Sequence, residues 1–216
     1  MKVIDTEKLP IKLWLDDIED GALNQAKNLA NLPFAYKWIS IMPDSHLGYG
    51  MPIGGVLATQ EVIIPNAVGV DIGCGMCAVK TSLTEINIET IKKIMGEIRK
   101  AVPVGFAHHQ EKQDENLMPQ KEYSDIIKAE YNKALDQIGT LGGGNHFIEI
   151  QKGRDNHIWI MIHSGSRNFG FRVAHYYNEK AVELNQKWKT IIPKEQELAF
   201  LPMDTNIAQD YFKDMK

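Results

Sequence analysis

The chain has 216 residues, of which 44% are hydrophobic, and its formal net charge at pH 7 is −4. This length suits one large domain or two small ones with a buried core. The negative charge argues against a protein wrapped in nucleic acid and leaves only a local basic patch for phosphate binding. No apolar stretch approaches the roughly eighteen residues of a membrane span, and the first residues, MKVIDTEKLPIKLW, lack the apolar run of a signal peptide. Two cysteines are too few for a disulfide framework, so we expect a protein of the reducing cytoplasm.

Apolar residues at helical spacing alternate with short β-branched runs along the chain. The spacing predicts helices over residues 21–32, 88–102, 123–139, 171–188 and 206–216, the last without a stop signal before the end of the sequence. Gly139 is expected to stop the third of these helices. Strands are predicted at residues 37–43, 56–59, 61–65 and 78–82. Residues 105–121 are polar and without period, which is typical of an exposed loop.

A second glycine-rich region predicts a β-hairpin. GTLGGGNHFIEIQ and HIWIMIHSGSRNFG each join a glycine-rich loop to a β-branched run, in opposite orders, and KGRDN between them is a turn. Strands and helices do not alternate regularly enough for a doubly wound sheet. We therefore predict an α+β fold, in which a mixed or antiparallel sheet core carries metal-bearing loops and helices pack outside. Neither repeats nor low-complexity linkers divide the chain, so residues 1–216 are expected to form a single domain.

Four side chains with metal-ligand chemistry lie beside the glycine clusters. Asp71 and Cys74 are three residues apart in GVDIGCGMCAV, whereas His146 and His163 lie at the ends of the predicted hairpin. A thiolate can bridge two metal ions, and one carboxylate plus two imidazoles would complete the ligands of a pair about 4 Å apart. Taken singly, a cysteine after a strand is more often a small buried hydrophobe, and a histidine near an apolar strand more often a hydrogen-bonded core residue. The shared glycine-rich setting favours a common metal site.

Cys74 and Cys77 also form a C-x-x-C pattern. A zinc ribbon needs a second cysteine pair, which this sequence lacks, and a redox motif normally opens a helix. Because MCAVKTS is typical of a strand, Cys77 is expected to point away from Cys74 and to serve in packing.

Further polar residues of the glycine-rich loops have two open interpretations. Asp44 and His46 in MPDSHLGYG and Asn145 in GGGNH either contact the site or satisfy turn backbones. Arg167, between a glycine-serine loop and a predicted helix start, is suited to hold a phosphate, with a surface salt bridge as the alternative.

Four long motifs, taken together, resemble the RtcB family of RNA-splicing ligases: MPDSHLGYGMPIGGVLAT, IIPNAVGVDIGCGM, LGGGNHFIEI and WIMIHSGSRNFG. The resemblance spans nearly the whole chain and keeps the order of the motifs. It implies GTP- and Mn²⁺-dependent joining of an RNA 3′-phosphate or 2′,3′-cyclic phosphate end to a 5′-hydroxyl end. The family's reaction passes through a guanylylated histidine, and the RNA joined, as in tRNA splicing or RNA repair, is not specified by the motifs.

The resemblance also implies roles for individual residues. Asp71, Cys74 and His146 would hold one manganese ion, and Cys74 and His163 would help to hold the other. Asn145 would contact the nucleotide phosphates. Ligand softness alone would favour zinc at Cys74, so manganese comes from the resemblance. An activating partner protein is also compatible with it.

By the same resemblance, Arg167 would bind the RNA phosphate. The family's guanylylated histidine lies in a Ser-His-Gly-Ala-Gly type motif that is absent from these 216 residues. We therefore expect a catalytic domain truncated at its C-terminus. Two alternatives remain open: a two-metal phosphodiesterase or phosphatase acting on RNA ends, and a non-catalytic remnant of the ligase.

Overall fold

The computed structural model describes residues 1–118 and 124–216, which form two compact units. Unit 1 comprises residues 1–70, 174–214 and 216, and unit 2 comprises residues 71–173 and 215. Within the described residues, no helix has both the length and the apolar character needed to cross a membrane.

The strands of the described residues are β1 (Lys2–Ile4), β2 (Ile11–Leu13), β3 (Ile39–His46), β4 (Ile53–Val56), β5 (Val62–Ile63), β6 (Gly75–Lys80), β7 (Phe147–Lys152), β8 (Ile158–Ser164) and β9 (Leu201–Pro202). The α-helices are α1 (Asp20–Ala30), α2 (Pro65–Val68), α3 (Ile88–Ala101), α4 (Asp125–Ala134), α5 (Phe169–Trp188) and α6 (Asn206–Asp214). Single 3₁₀ turns lie at Glu115–Leu117 and Lys194–Gln196.

Unit 1 is organised around a mixed four-stranded sheet with the order β1-β2-β3-β4. β2 and β3 are parallel and are connected through α1, whereas the outer pairs are antiparallel. Alternate residues of the two central strands form the buried face of the sheet: Ile11, Leu13, Ile39 and Ile41. Leu29 of α1 belongs to the same core, so the helix covers one face of the sheet.

The remainder of unit 1 holds a second, smaller sheet and the C-terminal helices. β5 pairs with β9 in antiparallel fashion. The rings of Tyr177 on α5 and Tyr211 on α6 are fully buried, with centroids 4.8 Å apart. Burial of two aromatic rings is a large apolar contribution to the packing of these helices.

Unit 2 is built on an antiparallel three-stranded sheet with the order β6-β8-β7. β7 and β8 form the predicted hairpin, and Phe147 of β7 lies opposite His163 of β8. All six residues of the edge strand β6 are exposed. One mixed sheet and two antiparallel sheets in the described residues, together with the helices, confirm the predicted α+β class.

Several predicted boundaries move. The regular part of the helix expected over residues 123–139 ends at Ala134, although Gly139 has the left-handed backbone (φ 78°) expected of a helix stop. The predicted strand 78–82 begins three residues earlier, at Gly75. The last helix ends at Asp214. The end of the predicted polar loop, residues 119–121, and residue 123 lie outside the described residues.

Candidate metal centre

A tight turn ahead of β6 sets the spacing of Asp71 and Cys74. The backbone N–H of Cys74 donates to the carbonyl oxygen of Asp71 at 3.0 Å, which closes a four-residue turn. Gly73, the third residue of the turn, has φ 91°, and a type II turn needs a positive φ at this position. Glycine accepts that conformation without a steric penalty. The turn therefore brings the carboxylate and the thiol, three positions apart, into one neighbourhood.

The hairpin supplies the two imidazoles. His146 directly precedes β7, and His163 is the sixth residue of β8. The rings approach edge to face with centroids 5.3 Å apart, and Phe147 packs edge to face against His163 at 5.7 Å. Strand register thus fixes both histidines at the same end of the sheet.

Three of the four donor side chains form one group, and Asp71 adjoins it through His146. Cys74 Sγ lies 2.8 Å from His163 Nε2, and Asp71 Oδ2 lies 3.2 Å from His146 Nε2. One donor atom from each of Cys74, His146 and His163 lies within 4.8 Å of the others. A carboxylate, a thiol and two imidazoles are together a donor set that divalent transition metals accept.

Two features of the cluster suit a bound cation. Partial desolvation of the thiol, and secondarily the negative charge of Asp71, raise the pKa of Cys74. A divalent cation would have the opposite effect, because it stabilises the thiolate directly. In addition, His146 Nδ1 is buried without a hydrogen-bond partner among the described residues. The residues present therefore fit a metal site.

Ser166 also contacts the candidate site, which the sequence patterns did not indicate. Its backbone N–H donates to Asp71 Oδ1 at 3.0 Å, and its hydroxyl donates to the same oxygen. These bonds leave Oδ2 facing His146 and fix the orientation of the carboxylate. Ser166 lies in the quoted loop HSGSRNFG, but 95 residues separate it from Asp71, so no local pattern indicated the contact.

Arg167 is half-buried and already engaged by its own unit. Its Nε donates to Thr140 Oγ1 at 2.6 Å, and its Nη2 donates to the carbonyl oxygen of Gly105 at 2.7 Å. The guanidinium thereby joins two loops, and its Nη1 takes part in neither of these two bonds. Asn145 is exposed in the turn just before His146. The phosphate contacts expected of Asn145 and Arg167 stay predictions.

The remaining candidates have other surroundings. Cys77 is exposed on β6, so the prediction that it serves in packing is wrong. The reason is that β6 is an edge strand with no buried position. In unit 1, His46 Nδ1 lies 2.9 Å from the carbonyl oxygen of Asp44, a contact at the end of β3.

Comparison with known proteins decides the family. The family described as tRNA-splicing ligase RtcB matches residues 25–132 and 110–216, which together cover most of the chain. The chain belongs to the RtcB family. The family resemblance drawn from the four motifs is therefore confirmed.

Relatives across bacteria and archaea support the assignment to RtcB. The RNA-splicing ligase RtcB of Escherichia coli (strain K12) is 35% identical over 98% of this chain. The tRNA-splicing ligases RtcB of Pyrobaculum aerophilum and Thermococcus kodakarensis are 31% and 29% identical, each over 97% of this chain. The chain spans 57% of the length of the E. coli protein and 55% of the lengths of the two archaeal ones. It thus matches little more than half of each of these relatives, which are the proteins named as ligases.

Proposed function

We propose that this chain carries the metal-binding part of a GTP- and Mn²⁺-dependent RNA ligase of the cytoplasm. The reaction would join RNA ends bearing a 3′-phosphate or 2′,3′-cyclic phosphate to ends bearing a 5′-hydroxyl, as in tRNA splicing or RNA repair. The observation that carries the proposal is the convergence of Asp71, Cys74, His146 and His163 in a chain of the RtcB family. We further propose that residues 1–216 belong to one catalytic domain.

The assignment of ligands to two ions comes from the family resemblance, and the proximity of the side chains supports a common site. Asp71, Cys74 and His146 would hold one manganese ion, and Cys74 and His163 would help to hold the other. Bound divalent cations would supply stabilisation of negative charge on phosphate oxygens and alignment of the reacting groups.

The chain's own residues would orient these ligands and the phosphates. Ser166 fixes one carboxylate oxygen of Asp71, so the other is presented to the site. Asn145 would contact the nucleotide phosphates through its exposed amide, and Arg167 would bind the RNA phosphate with the N–H groups that Thr140 and Gly105 leave open.

We propose that the covalent step, guanylylation of a histidine, does not take place on this chain. The sequence has seven histidines, and none lies in a Ser-His-Gly-Ala-Gly type motif. We infer that the histidine that accepts the guanylate is not among them, so this chain alone would bind metal without becoming guanylylated. An activating partner protein is compatible with this arrangement.

Two measurements on the purified 216-residue chain test the proposal. Equilibrium dialysis against MnCl₂ should give specific Mn²⁺ binding that Cys74→Ala weakens strongly and that Cys77→Ala, the matched control on β6, leaves unchanged. Incubation with α-labelled GTP and Mn²⁺ followed by denaturation should leave the chain unlabelled. Equal Mn²⁺ binding by both variants would remove Cys74 from the site, and a labelled band would contradict the inference about the histidine. Hydrolysis of a 2′,3′-cyclic phosphate without GTP would instead favour a phosphodiesterase.

A further inference from the structure

One face of the four-stranded sheet in unit 1 is uncovered. The inward residues of β2 and β3 pack against α1, whereas the alternating residues Lys12 and Ser40 lie on the opposite face and are partly exposed. We name this outward surface the aromatic face and define it by five residues: Lys12, Trp14, Tyr36, Lys37 and Trp38. Its three aromatic rings are 40–52% exposed, which is unusual for large apolar side chains gathered on one surface.

Strand pairing places Trp14 and Trp38 on the same face of the sheet. Lys12 lies opposite Ser40 in the parallel register of β2 and β3, and the backbone N–H of Trp14 extends the pairing by donating to the carbonyl oxygen of Ile41 at 2.9 Å. Trp38 lies two residues before Ser40 and so projects on the same side of the sheet. In this register Trp38 is level with Pro10 and Trp14 with Met42, so the two side chains lie on the same side of adjacent strands, about 13 Å apart along them.

Two ammonium groups are interleaved with the rings. Lys12 Nζ lies 3.4 Å from the ring centroid of Trp38. Lys37 has a left-handed backbone, and its Nζ lies 5.2 Å from the ring of Tyr36 and 5.8 Å from that of Trp38. Within the part of the chain that the structure describes, neither lysine forms a salt bridge. Both positive charges are thus held over exposed rings without a carboxylate to neutralise them.

This combination distinguishes nucleic acid from protein as the occupant. Bases stack on exposed aromatic rings whatever their identity, and unneutralised lysines between the rings match the phosphates of a strand. The centres of protein–protein interfaces are instead depleted in lysine. This pair of lysines is a local positive surface in a chain whose net charge is negative.

We propose that the aromatic face is a binding platform for single-stranded RNA, which stacks bases on Trp14, Trp38 and Tyr36 and places phosphates beside Lys12 and Lys37. The proposal rests on the proposed function only for the choice of RNA over DNA. The platform belongs to unit 1, whereas the candidate metal ligands belong to unit 2. Binding on the platform is therefore expected to need no metal ion.

Fluorescence anisotropy with a labelled short oligouridine tests the platform in the presence of EDTA. Trp14→Ala and Trp38→Ala should each weaken binding by roughly five- to a hundredfold, the range expected for the loss of one stacked base. Trp38→Phe should retain most of the affinity because a ring remains. Trp188→Ala is the matched control, since Trp188 on α5 is similarly exposed at 44% but has no place on this face.

A salt titration tests the role of the lysines. In the double variant Lys12→Ala/Lys37→Ala, the slope of log affinity against log salt concentration should fall by about 1.4, because about 0.7 counterions are released per phosphate of a single strand. Circular dichroism checks that each variant is folded.

Two results would overturn the proposal. One is an oligouridine affinity in EDTA that is absent, or that Trp14→Ala and Trp38→Ala leave unchanged. The other is a concentration-dependent dimer, seen by sedimentation, that Trp14→Ala abolishes, since a second copy would then cover the face. Failure of the proposed function would give a different result: the chain would not bind Mn²⁺, or Cys74→Ala would leave its Mn²⁺ affinity unchanged.

Discussion

Gly165 lies where the candidate metal ligands leave no room for a side chain. A Cβ at this position would lie 2.2 Å from His146 Cε1 and 2.3 Å from Asp71 Oδ2, both inside van der Waals contact. Gly165→Ala must therefore displace the two ligands. We expect the affinity for Mn²⁺ to fall by roughly 10- to 100-fold, the usual cost of disturbing residues that support a metal site. Isothermal titration with MnCl₂ measures it.

The control for this substitution is Gly96→Ala in the exposed helix α3. No atom lies within 4 Å of a Cβ built at Gly96, so this change should leave Mn²⁺ affinity intact. It should also stabilise the chain by roughly 0.5–1 kcal/mol, because alanine is the better helix former. Equal Mn²⁺ affinities for the Gly165 variant and the wild type would show that the ligands do not converge as described.

At the scale of single residues, the sequence predicted chemistry better than contacts. Asp71, Cys74, His146 and His163 could be selected because their types are metal ligands and each lies beside glycines. Ser166 could not, because a serine in a glycine-rich loop has many local partners, and its contact with Asp71 depends on how distant loops meet.

Burial of Tyr211 in α6 makes the stability of that helix sensitive to alkaline pH. Burial raises the pKa of Tyr211, since its charged form is poorly solvated. A raised pKa in the folded state means that the stabilising contribution is complete below the unfolded value near 10 and declines as pH rises above it. We therefore expect wild type to lose more unfolding free energy between pH 8 and pH 11 than Tyr211→Phe, as measured by urea denaturation.

Tyr49→Phe provides the comparison, because the ring of Tyr49 is 62% exposed. This variant should lose stability with pH in the same way as the wild type. The explanation by burial of Tyr211 would be wrong if the Tyr211→Phe and Tyr49→Phe curves coincided.

At the scale of elements, long periodic segments and tight turns were predictable, whereas short strands were not. The hairpin of β7 and β8 followed from a five-residue turn between two β-branched runs. β1 and β2 have three residues each, too few for alternation to stand out from noise, so they were not predicted. β2 pairs with β3, a contact between distant parts of the chain. The arrangement of the rings on the aromatic face depends on this pairing, so it could not be predicted from the sequence.

For the whole chain, metal binding should appear as added stability. A ligand that binds only the folded state at about 100 times its dissociation constant adds about 2.7 kcal/mol. Mn²⁺ at that excess should therefore slow amide hydrogen exchange in unit 2, which contains all four candidate ligands. Mass spectrometry of peptides from β6, β7 and β8 measures this protection.

Cys74→Ala should abolish the protection by Mn²⁺, and Cys77→Ala should preserve it. Both residues are exposed free cysteines on the same segment, so the pair separates ligation from a general effect of removing a thiol. Protection that persisted in Cys74→Ala would mean that the ion stabilises the chain from elsewhere.

The wide sequence separation within the metal centre also orders events during protein synthesis. Cys74 and His163 are 89 residues apart, so a ribosome that has released the first half of the chain has exposed the thiol but not its imidazole neighbour. Closing such a loop must precede any benefit from the contact. Loading of an ion at this candidate site would therefore be a late event in the life of the nascent polypeptide, and until then the thiol at position 74 would be open to competing cations and oxidants.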